Sequence, residues 1–167
     1  LTRATDLLDE RCNDVSGGTF HSFANFILRK YSDFIDYPSN FTIIDQADAG
    51  DFVGNIRKEL QFDSLGKRFP KKSTIINILS KNINTRSSIE NILIDEYPQF
   101  YEFKDHICKI QEMYNIRKKE SFVMDYDDLL VNLYSLLKNN PQVSQKLNNN
   151  FQYILVDEYQ DTNYLQA

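Results

Sequence analysis

Residues 151–163, FQYILVDEYQDTN, place a short apolar run directly before two acids. Residues 153–156 are apolar or aromatic and two of them are β-branched, which is typical of a strand buried on both faces of a parallel α/β sheet. Asp157 and Glu158 follow where this strand is expected to end, and ligands of open α/β sheets bind beyond the carboxyl ends of the strands. One carboxylate there can hold a hydrated Mg²⁺ on nucleotide phosphates, and its neighbour can orient or deprotonate a water. Taken alone, such a dipeptide is more often a solvated turn than a site.

The complete string VDEYQDTN, residues 156–163, is far more specific than its two acids. It resembles motif II, the Walker B segment, of superfamily 1 DNA helicases of the UvrD/Rep/PcrA type. The resemblance implies that Asp157 holds Mg²⁺ through water and that Glu158 is the catalytic base for ATP hydrolysis. It also implies that Gln160 lies close to the nucleotide and helps to couple it to DNA. ATP and Mg²⁺ are therefore the cofactors expected for the full-length protein.

A second motif, SGGTFHS, occupies residues 16–22. Its glycines permit a tight turn, and Ser22 is predicted to cap the helix that follows. Taken alone, the stretch is a strand–turn–helix junction, although its hydroxyls, imidazole and helix-terminal N–H groups can also contact a phosphodiester backbone. GTFHSF resembles motif Ib of the same helicases, which lies along single-stranded DNA. The resemblance implies DNA contacts from Thr19, Phe20, His21 and Ser22, and LTRAT…ERC (residues 1–12) loosely resembles motif Ia, which precedes it.

The middle of the chain is predicted to be helical. Residues 41–60 indicate a short strand or extended piece and then a helix capped near Asp48 or Asp51, and residues 62–122 show helical periodicity interrupted by short polar breaks. Ser87 or Ser88 is expected to cap one of these helices. Pro98 is expected to open a longer helix that ends near residue 119, and Pro141 a short one before the Walker B strand.

MDYDDLL, residues 124–130, begins the last long helix, with acids in the first turn where the helix dipole favours negative charge. It resembles the D-[FY]-[DE]-D-L-L motif that returns the helicase chain from the accessory domain to the motor core. Two basic clusters precede it, and solvated surface is the default interpretation of both. In a helicase either cluster could contact duplex phosphates. The clusters are Lys67, Arg68, Lys71 and Lys72, and Arg117, Lys118 and Lys119.

Composition places the chain among globular proteins. It has 167 residues, of which 41% are hydrophobic and 26% charged, and its net charge of −5 is unlike that of a freestanding nucleic-acid binder. The two cysteines form no metal-ligand or disulfide pattern, and no apolar run is long enough for a membrane span. A cytoplasmic location is therefore expected.

These observations predict a mainly α protein: a helical accessory domain with a few short strands from a truncated P-loop NTPase (RecA-like) α/β motor domain. The expected divisions are residues 1–45, part of the first motor domain; 46–138, the helical accessory domain; and 139–167, the return to the motor domain with the Walker B strand. No G-x-x-x-x-G-K-[ST] phosphate loop occurs in the chain, so alone it is expected to lack ATPase activity.

The function that the resemblance implies is that of part of an ATP-dependent DNA helicase or translocase, moving 3′ to 5′, in repair, replication or recombination. Single-stranded and forked DNA are the expected partners, with no membrane association. One alternative is a helicase–nuclease subunit of the RecB/AddA type. Another is a non-catalytic helical module that binds DNA or protein. A hydrolase that uses a metal on Asp157 and Glu158 alone is disfavoured, because no supporting His or carboxylate set is visible.

Overall fold

The computed structural model describes residues 15–62 and 69–166. The predicted motif Ia at residues 1–12 and the basic pair Lys67 and Arg68 lie outside the described residues. The described residues are mainly helical, as predicted. Their helices and strands, in chain order, are α1 (Phe20–Lys30), β1 (Thr42–Ile43), α2 (Gln46–Glu59), α3 (Lys72–Thr85), α4 (Ile89–Glu96), α5 (Lys104–Glu120), β2 (Val123–Met124), α6 (Tyr126–Asn139) and α7 (Pro141–Asn150).

Short side chains with an oxygen acceptor determine where several helices begin. The predicted cap at Ser88 is confirmed, since its Oγ accepts a hydrogen bond of 3.1 Å from the backbone N–H of Asn91. Helix α6 begins with a capping box in which the Asp125 carboxylate accepts from the N–H of Asp128 and the Asp128 carboxylate accepts from the N–H of Asp125. These caps satisfy N–H groups that have no partner within the helix.

Two other helices begin earlier than predicted. Asp45, rather than Asp48 or Asp51, caps α2, because its Oδ1 accepts from the backbone N–H groups of Ala47 and Asp48 at 2.8 and 2.9 Å. For α1 the cap is Thr19, three residues before the predicted Ser22. The long helix expected from Pro98 is divided, with a 3₁₀ segment at Pro98–Phe103 and then α5.

The strands β1 and β2 form a parallel pair in which Thr42 is opposite Val123 and Ile43 is opposite Met124. Two hydrophobic clusters meet at this pair. The first cluster packs α2, α3, α4 and α5 together, with its residues drawn from positions 44–123. The second packs α1, α6 and α7 around Phe41 and Met124. Helix α1 lies against α6 in the most extensive helix–helix contact.

The predicted Walker B strand is not a strand in this structure, and the expectation that residues 153–157 form one is wrong for the chain as described. The segment belongs to no helix or sheet, and Tyr153, Ile154 and Leu155 are 89%, 77% and 97% exposed. A strand buried on both faces needs hydrogen-bonded neighbours and covering helices. The two strands of the described residues pair only with each other, so neither of them forms a hydrogen-bonded neighbour for residues 153–157.

None of the described helices is long and apolar enough to cross a membrane.

Candidate nucleotide and DNA site

The predicted catalytic side chains lie together on one exposed turn. The backbone N–H of Glu158 donates to Oδ1 of Asp157 at 3.0 Å, and the side-chain amide of Gln160 donates to Oε2 of Glu158. Residues Tyr159–Asp161 form a 3₁₀ turn that closes when the N–H of Asp161 donates to the carbonyl of Glu158 at 2.9 Å. The turn therefore presents two adjacent carboxylates to solvent, with Gln160 bound to the second.

Glu158 has a left-handed backbone, with φ 49° and ψ 44°. Non-glycine residues adopt this region infrequently, and it occurs often at functional sites, where surrounding contacts hold it. Carboxylate oxygens are ligands that Mg²⁺ prefers, and Mg²⁺ on nucleotides takes only one or two of them from the protein. Within the described ranges, no group of three or more His, Cys, Asp or Glu residues could hold a metal ion by itself. Asp157, exposed on this turn, is a carboxylate of the kind that could hold a hydrated Mg²⁺ on nucleotide phosphates.

The residues after this turn are bound to the end of α3. The side-chain amide of Asn163 donates to Oδ1 of Asn84 at 2.6 Å. Asn84 in turn donates through its Nδ2 to Oδ1 of Asp127, in the first turn of α6, at 2.8 Å. Oδ1 of Asn163 also accepts from the N–H groups of Leu165 and Gln166. The segment that carries the acids is therefore attached to two helices at once.

Arg86 makes a second attachment at the same end of α3. Its guanidinium carbon lies 3.6 Å from the ring centre of Tyr164 and 5.7 Å from that of Tyr134 on α6. Hydrogen bonding from Arg86, together with the charges of Lys138 and Arg86, lowers the pKa of the Tyr134 phenol. A guanidinium over an aromatic ring is an attractive arrangement.

The predicted DNA residues lie at the beginning of α1. Oγ1 of Thr19 accepts from the N–H of Ser22 at 3.2 Å, and Oγ of Ser22 donates to the carbonyl of Thr19 at 2.8 Å. A Cβ on Gly18 would approach Oγ of Ser22 to 2.7 Å, so a larger residue at position 18 would make the Ser22 side chain shift. The Ser22 hydroxyl is therefore exposed and oriented, with Phe20 and His21 beside it.

His21 connects this motif with α6. Its ring makes an edge-to-face contact with Tyr126, with ring centres 5.6 Å apart. Among the described residues no hydrogen bond or ring contact joins the group Thr19–Ser22 directly to Asp157, Glu158 or Gln160. The nearest aromatic link between the two segments is the ring contact of Phe23 with Phe151, at 5.4 Å.

A buried ion cluster forms where sequence reasoning placed solvated charges. Nζ of Lys118 lies 2.6 Å from Oδ2 of Asp125 and 2.7 Å from Oδ2 of Asp128, and Lys118 is 2% exposed. The Tyr114 hydroxyl donates to the same Asp125 oxygen at 2.9 Å. Burial raises the pKa of Asp128 to about 6, although Lys118 opposes the shift. The capping box of α6 is therefore also its connection to α5.

The expectation that the second basic cluster is a solvated face is accordingly wrong for Lys118. Arg117 pairs with Glu59 on α2, and Lys119 is exposed, with no ion pair to another residue in the described ranges 15–62 and 69–166. In the first cluster Lys72 pairs with Asp51 at 2.6 Å. A separate cavity of about 460 Å³ lies beside Lys72 and is lined also by Arg57 and Lys58.

Comparisons with known proteins match the chain over its whole length. The UvrD/REP helicase N-terminal domain family matches residues 1–167. The chain belongs to this family. The ATP-dependent DNA helicase PcrA of Staphylococcus aureus is 31% identical over 166 residues, which cover 98% of this chain and 22% of that protein. PcrA of Staphylococcus epidermidis gives the same identity and coverage. This UvrD/REP domain thus spans about a fifth of the length of the curated relatives it matches.

Sequence reasoning missed the residues that connect the parts of this UvrD/REP domain. Asn84 and Arg86 carry no local signal, and nothing near Asn163, the last residue of VDEYQDTN, indicates that it binds Asn84, 79 residues away. The acids of MDYDDLL were interpreted only through the helix dipole. Neither the capping box of Asp125 and Asp128 nor the buried Lys118 on another helix was predicted.

Proposed function

We propose that this chain is part of an ATP-dependent DNA helicase that moves 3′ to 5′ along single-stranded DNA. The observation that carries the proposal is the exposed turn with Asp157, Glu158 and Gln160, in a chain that matches a helicase family over its full length. ATP supplies the free energy when it is bound with Mg²⁺. In this proposal Asp157 holds the ion through water, Glu158 takes the proton of the attacking water, and Gln160 orients Glu158.

The two hydrophobic clusters support the proposed division of the chain into two domains, with α6 between them. Residues 46–138 form the helical accessory domain, and residues 1–45 and 139–167 belong to the first motor domain. The first cluster, drawn from residues 44–123, supports an accessory unit of α2 to α5. Helix α6 packs with α1 and α7 in the second cluster, and it binds the accessory helices through Lys118 and Asn84. In this proposal α6 is the joint between the two domains.

The test is an unwinding assay of the full-length protein on short duplexes that carry a single-stranded tail. We expect ATP-dependent unwinding of the 3′-tailed duplex and at least about tenfold slower unwinding of the 5′-tailed one, a difference of about 1.4 kcal/mol in activation free energy. The 167 residues alone are expected to hydrolyse no ATP, since they contain no phosphate loop. Equal unwinding of both substrates would contradict the proposed direction, and none with either would contradict the function.

The proposed DNA contacts predict a defect in binding. Replacing both His21 and Ser22 by Ala is expected to weaken single-stranded DNA binding about tenfold, because hydrogen bonds to charged phosphates are removed. Fluorescence anisotropy of the full-length protein at two salt concentrations measures this change. The helix should remain, since its cap is Thr19.

The matched control is Ser73→Ala, which removes an exposed hydroxyl from the first turn of α3. It is expected to bind single-stranded DNA like the unmodified protein. If the His21 and Ser22 variant also binds normally, the proposed DNA contacts of these residues are wrong.

A further inference from the structure

Three contacts form an unbroken path from the proposed DNA motif to the proposed catalytic turn. His21 packs its ring against Tyr126, at the start of α6. The next residue, Asp127, accepts a hydrogen bond from Asn84 at 2.8 Å. Asn84 accepts one from Asn163 at 2.6 Å, and Asn163 follows Glu158 by five residues.

The amide of Asn84 can serve this path in one orientation only. Its Nδ2 must donate to the Asp127 carboxylate, so its Oδ1 is left to accept from the amide of Asn163. The same Nδ2 also contacts the carbonyl of Ser80, which holds the side chain against its own helix. Asn84 thus joins three segments that are distant in sequence.

The chain between Asn163 and Glu158 is short and internally bonded. The carbonyl of Tyr159 accepts from both the N–H and the Oγ1 of Thr162, at 3.1 and 2.8 Å. After Asn163, the guanidinium of Arg86 lies over the ring of Tyr164. The stretch from Glu158 to Asn163 is therefore held by its own hydrogen bonds and by its contact with Asn84.

We propose that Asn84 and Arg86 are positioning residues that make ATP hydrolysis depend on bound DNA. The inference rests on the proposed function. DNA bound at Thr19–Ser22 contacts His21, and the His21 ring packs against Tyr126 at the start of α6. Asn84 and Arg86 relay the position of α6 to the turn and so orient Glu158 for catalysis. Neither residue contacts the nucleotide, and they act only through the turn.

The test compares two ATPase rates of the full-length protein, without DNA and with saturating single-stranded DNA. In Asn84→Ala and in Arg86→Asn we expect the DNA-stimulated kcat to fall by about fivefold or more, the lower range of coupling between sites. The rate without DNA and the Kd for DNA should stay within about twofold of those of the unmodified protein. The variants should change only the coupling between the two sites, which is measured as the difference between the DNA-free and DNA-bound rates. Asn is chosen for Arg86 because it tolerates the left-handed backbone there, with φ 56°.

The control variant is Lys81→Ala, which lies on the same helix and removes an ion pair with Glu96 outside the path. It should show normal stimulation by DNA. Arg86 is exposed, so its replacement tests the inference even if Asn84→Ala fails to fold.

The inference is overturned if both variants keep the stimulation factor of Lys81→Ala, or if their rates with and without DNA fall by the same factor. The second result would give Asn84 and Arg86 a merely structural role. Either result leaves the proposed function standing. An unmodified protein without DNA-stimulated ATPase would remove the proposed function, and this inference with it.

Discussion

Replacing Glu158 by Gln in the full-length protein is expected to lower kcat for ATP hydrolysis by about 10²- to 10⁴-fold, the usual contribution of a positioned general base. The amide cannot take the proton of the attacking water. It can still accept the hydrogen bond from Gln160 through its carbonyl oxygen. The geometry of the turn should therefore survive while the chemistry is lost. Steady-state ATPase assays with saturating DNA measure the effect.

Nucleotide binding separates this role from a structural one. The Kd of a fluorescent ATP analogue should change by less than about threefold in Glu158→Gln, since that binding energy comes mainly from other groups on the phosphates. Glu120→Gln, an exposed substitution at the end of α5, is the matched control and should turn over ATP normally. Turnover by Glu158→Gln at the rate of this control would refute the assigned role.

Removing the buried cation Lys118 is expected to have the largest effect on stability. Lys118→Met leaves two largely buried carboxylates, Asp125 and Asp128, without their countercharge. Breaking a buried ion pair from one side costs about 3–5 kcal/mol in free energy of unfolding. Lys119→Met removes an exposed charge from the same helix and should change stability by less than about 0.5 kcal/mol. Urea unfolding at pH 7 compares the two.

The pH dependence of the free energy of unfolding shows how Asp128 contributes to stability. Burial raises the pKa of Asp128 to about 6, above its ordinary value of 3.8. The folded protein therefore binds a proton that the unfolded chain releases, so the stability from this group is complete below about pH 4 and is lost as the pH rises to about 6. Over this pH range, the free energy of unfolding falls by an amount on the order of 2–3 kcal/mol.

Asp128→Asn removes the titrating group and should flatten the stability profile between pH 4 and pH 6, about the two pKa values. Lys118→Met should extend the loss of stability to higher pH, because it removes the cation that opposes the rise in the pKa of Asp128. The charged and titrating groups that face this site include Asp125 on α6 and Tyr114 on α5. If Lys118→Met is as stable as Lys119→Met at pH 7, the ion cluster contributes nothing to folding.

The correct sequence predictions are those that depend on nearby residues. Ser88 caps its helix through the N–H of Asn91, three residues away. Asp127 and Asp128 lie in the first turn of α6, as expected from the helix dipole. Helix periodicity likewise repeats within a few residues, so the mainly α character could be predicted.

The two helix starts that were predicted too late show the limit of local reasoning. Near α2, three acids in seven residues could each have served as cap, and only the backbone path from β1 selected Asp45. The strand predicted for residues 153–157 failed for a related reason. The apolar residues of this segment suit a buried strand, but a strand forms only where neighbouring strands supply hydrogen bonds.

By itself, the sequence determined the helix-rich character, several helix caps and membership in a helicase family, because those signals lie within short stretches of neighbouring residues. Only the tertiary structure decided that Lys118 is buried between two carboxylates and that Asn84 binds Asn163, 79 residues away. The physical reason is that burial and hydrogen bonding between distant segments depend on which helix faces pack together. No local pattern encodes that packing, and it is this packing that connects the turn of Asp157 and Glu158 with α3 and α6.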